Sequence, residues 1–318
     1  MLPDKTVLPL CHYKNKKYGH KKSVVCNKRF QRFGAQKLLN EGFRVVATTR
    51  NIQSLVIDVG DALDVILPLE VNLTDNESVK NAIAKSVSHF GQIDIVVNNA
   101  GYGQIGALEE LTDVEVKSNF DVNVFGSLNI IRNVMPYLRD QKSGHIFNIS
   151  SIGGFIGGFA GWGIYCATKF AVAGLTESLA EEVKAFGIKA TVVYPGYFRI
   201  DFLSKGSVKT PAHSIEDYEA ARQYEKAHLN DINGNQPNDP EKAADVLIAT
   251  SKEENPPVHL FLGSNAYEMV YNEIGIVTKG TEQWKDFHLI NRIIILTILL
   301  TNLGCVFNKA TTMEKSEK

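Results

Sequence analysis

From residue 23 to residue 262 the apolar positions follow two alternating rhythms. Short unbroken apolar runs predict buried strands, and stretches with apolar residues three and four apart predict helices. Ser23–Cys26 is a first strand candidate, and Ala35–Asn40 a brief helix ended by Gly42, a natural C-terminal cap. Arg44–Arg50 and Val65–Val71 follow as strands. After the latter, Thr74 or Asp75 can cap a helix with Val79, Ile83 and Val87 on its inner face. Ile93–Val97 is a fourth strand, ending in the polar run Asn98–Gly103. A long helix is then expected through Asn119–Leu138, a strand at His145–Ile149, and a helix carrying Tyr165 that runs to about Phe186. That helix places Phe170, Leu175, Leu179 and Val183 at core spacing. Lys189–Tyr194 is another strand, stopped by Pro195 and Gly196. The remainder predicts helices at Asp217–Leu229 and Glu241–Ser251, an extended loop at Asp231–Pro240, and a last strand at Val258–Leu262.

Strands alternating with helices of this length mean βαβ units and a parallel sheet, an α/β fold. Such units wind right-handed, and ligands sit at the carboxyl ends of the strands. Arg50, Asn72, Asn98, Ser151 and Pro195 all fall at expected strand ends, which points to one site.

The chemistry concentrates in Ser150–Lys169, SSIGGFIGGFAGWGIYCATK. Tyr165 and Lys169 are four apart and share a helix face, so the ammonium can favour the phenolate of a tyrosine that otherwise titrates near pH ~10. A hydroxyl from Ser151 can orient a carbonyl against that phenol. These are parts for moving a proton to or from a C–O centre. Taken singly, the pair is an exposed lysine beside a half-buried tyrosine, and the serines only end a strand; the company decides.

Composition narrows the class. The chain has 318 residues, 44% apolar and 22% charged, with net charge −1, which gives no reason to expect nucleic acid as a partner. Four scattered cysteines without a CxxC pair fit reduced thiols in a cytoplasmic protein, and eight histidines without ligand spacing predict no metal. Residues 1–22 are irregular and basic, with no apolar core long enough for a secretory signal. The apolar run from Ile293 to Phe307 is short and interrupted for a membrane span, so packing against the domain or self-association is expected ahead of a tail anchor.

With NNAG at Asn98–Gly101, Asn123 on a helix, the serine pair, YCATK at Tyr165–Lys169 and Pro195–Gly196, the chain resembles the short-chain dehydrogenase/reductase family. The likeness is greatest to its single-domain hydroxysteroid dehydrogenase and carbonyl reductase branch. The resemblance implies a Rossmann-like doubly wound domain over 23–288, between a tail at 1–22 and an apolar segment and tail at 289–318. It implies Tyr165 as acid/base, Lys169 on the nicotinamide ribose, Ser151 on the substrate oxygen, and Asn123 holding a water that links Lys169 to solvent. Asn98, Ala100 and Gly101 would form the wall beneath the adenosine ribose, with Asn72 at the neighbouring strand end, and Pro195 and Gly196 would back the nicotinamide. Partners would be a small carbonyl or alcohol and, through helices with Ala167, Ala171 and Gly174, a second copy.

Cofactor choice rests on Thr48-Thr49-Arg50, where no carboxylate stands to repel a 2′-phosphate, so NADP(H) is expected over NAD(H); the plainer reading is a solvated arginine. The chain departs from the family at the phosphate loop, where VVCNKRFQRFG offers only Gly34. Either the N-terminal region is not the ancestral one, or the protein binds cofactor poorly and serves as an inactive scaffold. A second departure is Ile200, where the family usually has threonine. Phe155, Trp162, Tyr197 and Phe202 can line an apolar pocket or belong to the core.

Overall fold

The structure is a computed structural model, and it describes residues 22–27, 37–53, 65–204 and 206–287. Gly34 with the segment 28–36, the tail 1–21 and the apolar run 293–307 lie outside the described residues.

Seven strands form one parallel sheet: β1 (Ser23–Asn27), β2 (Arg44–Thr49), β3 (Ile66–Glu70), β4 (Ile95–Asn98), β6 (Gly144–Ile149), β7 (Ile188–Pro195) and β9 (His259–Leu262). Their order is β3-β2-β1-β4-β6-β7-β9. The chain winds outward from β1 in both directions, so the strand order reverses between β1 and β4, where a doubly wound sheet opens its ligand crevice. β5 (Gly103–Gln104) and β8 (Val208–Lys209) pair as a separate parallel ladder.

Helices cover both faces. Alternate strand residues point to opposite sides, and the core divides accordingly. Val24, Cys26, Val45 and Ala47 pack with Leu247 and Ile248 on one side. Val25, Val46, Val96 and Ile146 pack with Val79, Ile83 and Leu138 on the other. Two apolar faces explain why these strands read as unbroken apolar runs. Each valine, leucine or isoleucine among them contributes about 1.5–3 kcal/mol by leaving water.

The helices that matter for the site start and stop for local reasons. Asp75 caps α1 (Asn76–Phe90), accepting from the Glu77 and Ser78 amides, and Gly91 ends it with φ 83°. The long helix expected from Asn119 begins earlier, because Thr112 and Glu115 form a reciprocal capping box that opens α2 (Asp113–Phe120). One π-turn at Asp121–Phe125 separates it from α3 (Gly126–Gln141). The Tyr165 helix, α4, spans Gly163–Val183 and finishes in a short turn at Lys184–Phe186. Phe170, expected in the core, is 43% exposed, since the buried stripe of α4 follows Cys166, Val172, Ala173, Leu179 and Val183. The helix expected at Asp217–Leu229 is shorter as α5 (Glu219–Lys226), followed by a π-turn at Ala227–Ile232. α6 (Pro240–Thr250) starts on Asp239. A first compact unit ends at Ala266; in the second, residues 267–287 are helical, with Trp284 and Phe287 in ring contact at 5.5 Å. No described helix is long and apolar enough to cross a membrane.

Candidate active site

The loop after β6 and the first turns of α4 are fastened together. Ser150 Oγ donates to the Lys169 carbonyl at 2.8 Å. They approach so closely at Gly154 that a Cβ there would stand 2.1 Å from Ser150 Oγ and 2.7 Å from the Lys169 carbonyl oxygen. Only glycine fits. Lys169 is 5% exposed, and its Nζ donates to the Ile149 carbonyl at 2.9 Å and lies 5.8 Å from the Tyr165 ring centre. Burial of an ammonium demands such partners. Ser151 Oγ accepts from the Gly153 amide at 3.1 Å. Tyr165, Lys169 and Ser151 thus converge on one cleft at the carboxyl edge of the sheet.

Asn123 sits in the π-turn of Asp121–Phe125, buried. Its Oδ1 accepts from the Tyr102 amide at 3.0 Å, and its Nδ2 donates to the Tyr102 carbonyl at 3.0 Å and to Thr168 Oγ1 at 3.1 Å. Thr168 in turn donates to the Tyr165 carbonyl. A single side chain therefore ties the turn after β4 to the helix that carries Tyr165 and Lys169.

The other expected positions line the same edge. Asn98 is buried and donates to Asn148 Oδ1 at 2.8 Å. Ala100 and Gly101 follow it, half-buried. Asn72 spends its Oδ1 on an Asx turn, accepting from the Thr74 amide and hydroxyl. Arg50 is exposed directly beyond β2. Beside it, at the end of β3, Glu70 accepts from the Ile52 amide at 3.4 Å, a carboxylate that strand-end reasoning from β2 alone overlooked. Pro195 and Gly196 close the far wall, where a Cβ on Gly196 would meet Asn265 at 2.6 Å.

A nicotinamide dinucleotide suits these residues. A Cβ at Gly101 would lie 3.0 Å from Asn123 Oδ1 and 3.5 Å from Lys169 Nζ, so the bare backbone leaves the floor next to the ammonium uncrowded. Polar groups cluster there at the reversal of strand order, where dinucleotides bind in doubly wound sheets.

The cleft encloses about 940 Å³ of empty space, its open mouth included. Trp162, Tyr197 and Phe202 line it, as does Ile200. Phe155 does not: it packs edge-on against Tyr194 and Phe261 in the core. The polar lining residues His228 and Gln236 have no signal in the sequence, since neither belongs to a motif. Burial lowers the His228 pKa below its ordinary value and raises that of Tyr197. It also pushes the Cys166 thiol up to about 11, leaving it protonated and unreactive at neutral pH. No group of side chains fit to hold a metal ion occurs among the described residues.

The family described as short chain dehydrogenase matches residues 31–209. The chain belongs to the short-chain dehydrogenase/reductase family. It is an oxidoreductase of the nicotinamide-dependent dehydrogenase/reductase kind. An oxidoreductase of Botryotinia fuckeliana is 34% identical over 256 residues, covering 80% of this chain and 92% of that protein. A 3-ketodihydrosphingosine reductase of Bacteroides thetaiotaomicron is 34% identical over 239 residues, covering 74% and 84%. Among solved structures, a short-chain dehydrogenase from Streptomyces avermitilis superposes with TM-score 0.77 at 31% identity, covering 85% of this chain and 98% of that one. A Burkholderia phymatum family member in complex with NAD has TM-score 0.68 at 21% identity, covering 80% and 95%. The protein ElxO with NADP bound has TM-score 0.65 at 23% identity, covering 79% and 100%. At these identities the last two speak for the fold alone.

Proposed function

We propose that this dehydrogenase/reductase interconverts a neutral, largely apolar carbonyl compound and its alcohol, with NADP(H) preferred and Tyr165 as the proton donor and acceptor. The convergence of Tyr165, Lys169 and Ser151 on one apolar cleft carries the reading. When bound, the nicotinamide supplies or takes the hydride. The chain's own residues handle the oxygen. Ser151 Oγ already accepts from the Gly153 amide, which leaves its hydroxyl proton to point at a substrate oxygen. Tyr165 donates its proton to that oxygen as the alcohol forms. The Lys169 ammonium, held by the Ile149 carbonyl, favours the phenolate left behind. Asn123 keeps the turn at Tyr102 and the helix at Thr168 in register, and with Lys169 borders Gly101 on the route by which Tyr165 regains its proton.

The preference for the phosphorylated cofactor draws support from Arg50, an exposed guanidinium at the end of β2, and from the absence of a carboxylate on that strand end. Of the binding positions read from the sequence, Gly101, Pro195 and Gly196 line the cleft, and Asn98 and Ala100 stand just before Gly101, at the end of β4 and in the turn that follows it, which supports the reading.

NADPH and NADH titrations on the wild type and on Tyr165→Phe, with turnover on a panel of apolar ketones, test the reading. Both forms are expected to bind NADPH, while kcat in the variant falls by about 100-fold or more, the usual share of a general acid. Equal turnover by wild type and variant would remove Tyr165 from the mechanism.

A further inference from the structure

The cleft's distal wall bears polar groups that the proposed proton transfer does not use, and their hydrogen-bonding directions can be worked out. His228 Nδ1 lies 2.8 Å from the Tyr224 carbonyl, which can only accept, so Nδ1 carries the proton. Neutral His228 then has a bare Nε2, which stands 3.0 Å from the Tyr197 hydroxyl. Tyr197 must therefore donate to it. With its proton committed, the phenolic oxygen of Tyr197 offers the cleft only lone pairs. Burial keeps both groups in these states, lowering the pKa of His228 and raising that of Tyr197.

Two other lining residues bear polar atoms with nothing to bond. Trp162 is 4% exposed and Gln236 3%, and Trp162 Nε1 and Gln236 Oε1 are buried without a hydrogen-bond partner. Such atoms are costly in a folded protein, about 1–3 kcal/mol each, and call for an explanation. Trp162 is packed against Tyr165, ring centres 5.4 Å apart, and against His228 at 4.9 Å, so it bridges the proton-transfer end to the distal wall. The described lining contains no carboxylate and no guanidinium, and Lys169 is its one ammonium.

An acceptor on Tyr197, a donor on Trp162 and the Gln236 amide, which can do either, on an otherwise apolar, uncharged wall match a hydroxyl, the neutral group that both donates and accepts. We propose that the substrate is a hydroxylated apolar ketone or the corresponding diol, whose second hydroxyl, remote from the reacting carbon, is read by Tyr197 as positioned by His228, with Trp162 and Gln236 completing its hydrogen bonds. This rests on the oxidoreductase reading above and names the substrate class for the same cleft.

The test separates binding from turnover. In a Trp284→Phe background Trp162 is the only tryptophan, and its fluorescence reports ligands entering the cleft. Methyl octyl ketone is compared with analogues carrying a hydroxyl moved stepwise along the octyl chain, in the protein loaded with NADP+, which cannot reduce them. At least one hydroxylated analogue is expected to bind about 10-fold more tightly than the parent, the value of about one net hydrogen bond. Its advantage in kcat/KM should be similar, and Tyr197→Phe should bring both ratios close to one. His228→Phe, which removes the group orienting Tyr197, should also lower them. Equal affinity for parent and all analogues would overturn the inference and leave the reductase reading standing. Hydroxyl-dependent binding without turnover of any ketone would support it and overturn the reductase reading. Ratios unaltered in a folded Tyr197→Phe protein would remove Tyr197 as the reader.

Discussion

At the scale of single residues, the histidines show how burial sets behaviour. Thr191 donates its hydroxyl proton to the Pro257 carbonyl, so the nearby His145 must donate its Nε2 proton to Thr191 Oγ1 at 2.9 Å. His145 Nδ1 is then a buried, bare nitrogen with no partner. Protonating it is unfavourable: burial first, then the Lys189 and Lys22 charges, lower its pKa from 6.5 to about 3. Between those values the unfolded chain takes up a proton that the folded chain refuses, so stability drops as pH falls and is flat above 6.5. From neutrality to about pH 5 the loss should be roughly 2 kcal/mol from this residue, and His228, shifted the same way by burial, adds to it. Urea unfolding at the two pH values checks this. His145→Gln, which retains a donor for Thr191, should flatten the dependence; an unaltered slope would move the cause elsewhere.

Among elements, the one whose continuation borders the cleft is tied down through a buried acid. The Glu110 side chain is fully buried, accepting from the Ala107 amide at 2.6 Å, the Ile215 amide at 2.7 Å and Arg222 Nη2 at 2.6 Å. It thus fixes both the segment after β5 and α5, whose continuation carries His228. Removing one partner of such a pair costs about 3–5 kcal/mol. Glu110→Ala is expected to lower Tm by about 6–15 °C and to raise KM for the ketone more than it lowers kcat, because the reacting groups sit on α4 instead. A fall confined to kcat would contradict this division. Legibility follows the same division. The seven strands of the main sheet and the Tyr165 helix are readable because two-sided burial leaves unbroken apolar runs, and short motifs mark their ends. Strand limits moved by a residue or two. Phe170 and Phe155 were misplaced or left open, since helical spacing alone does not say which aromatic meets the core. The ladder of β5 with β8, the π-turn at Asn123 and the Glu110 ion pair depend on residues far apart in the chain, about a hundred between Glu110 and Arg222, and carry no local signal. The capping box at Thr112 and Glu115, by contrast, is a local signal written in the sequence.

For the whole molecule, the positions proposed to hold the dinucleotide run from Arg50 beyond β2, through Asn98 at β4, to Gly196 beyond β7, so one ligand would touch strands on both sides of the reversal in sheet order. Anything that binds only the folded form stabilises all of it, by about 2.7 kcal/mol at a hundredfold excess over Kd, or some 5–10 °C in Tm for a domain of this size. NADPH should therefore raise Tm more than NADH does at equal concentration. Under the proposed preference Arg50 and Glu70, at neighbouring strand ends, would set that difference, one attracting a 2′-phosphate and the other opposing it. Arg50→Asp should reverse the order of the two cofactors, and Glu70→Gln should widen the wild-type gap in favour of NADPH. The segment 28–36 enters through magnitude: with Gly34 its only glycine, its sequence lacks the glycine pattern that lets a backbone approach a pyrophosphate, so both Tm shifts should fall below that range. A thermal-shift titration of the three proteins with each cofactor decides it. Equal shifts in wild type would dismiss Arg50 as the discriminating residue. No shift with either cofactor would mean that the chain, with this phosphate segment, keeps the family's proton-transfer site without its dinucleotide.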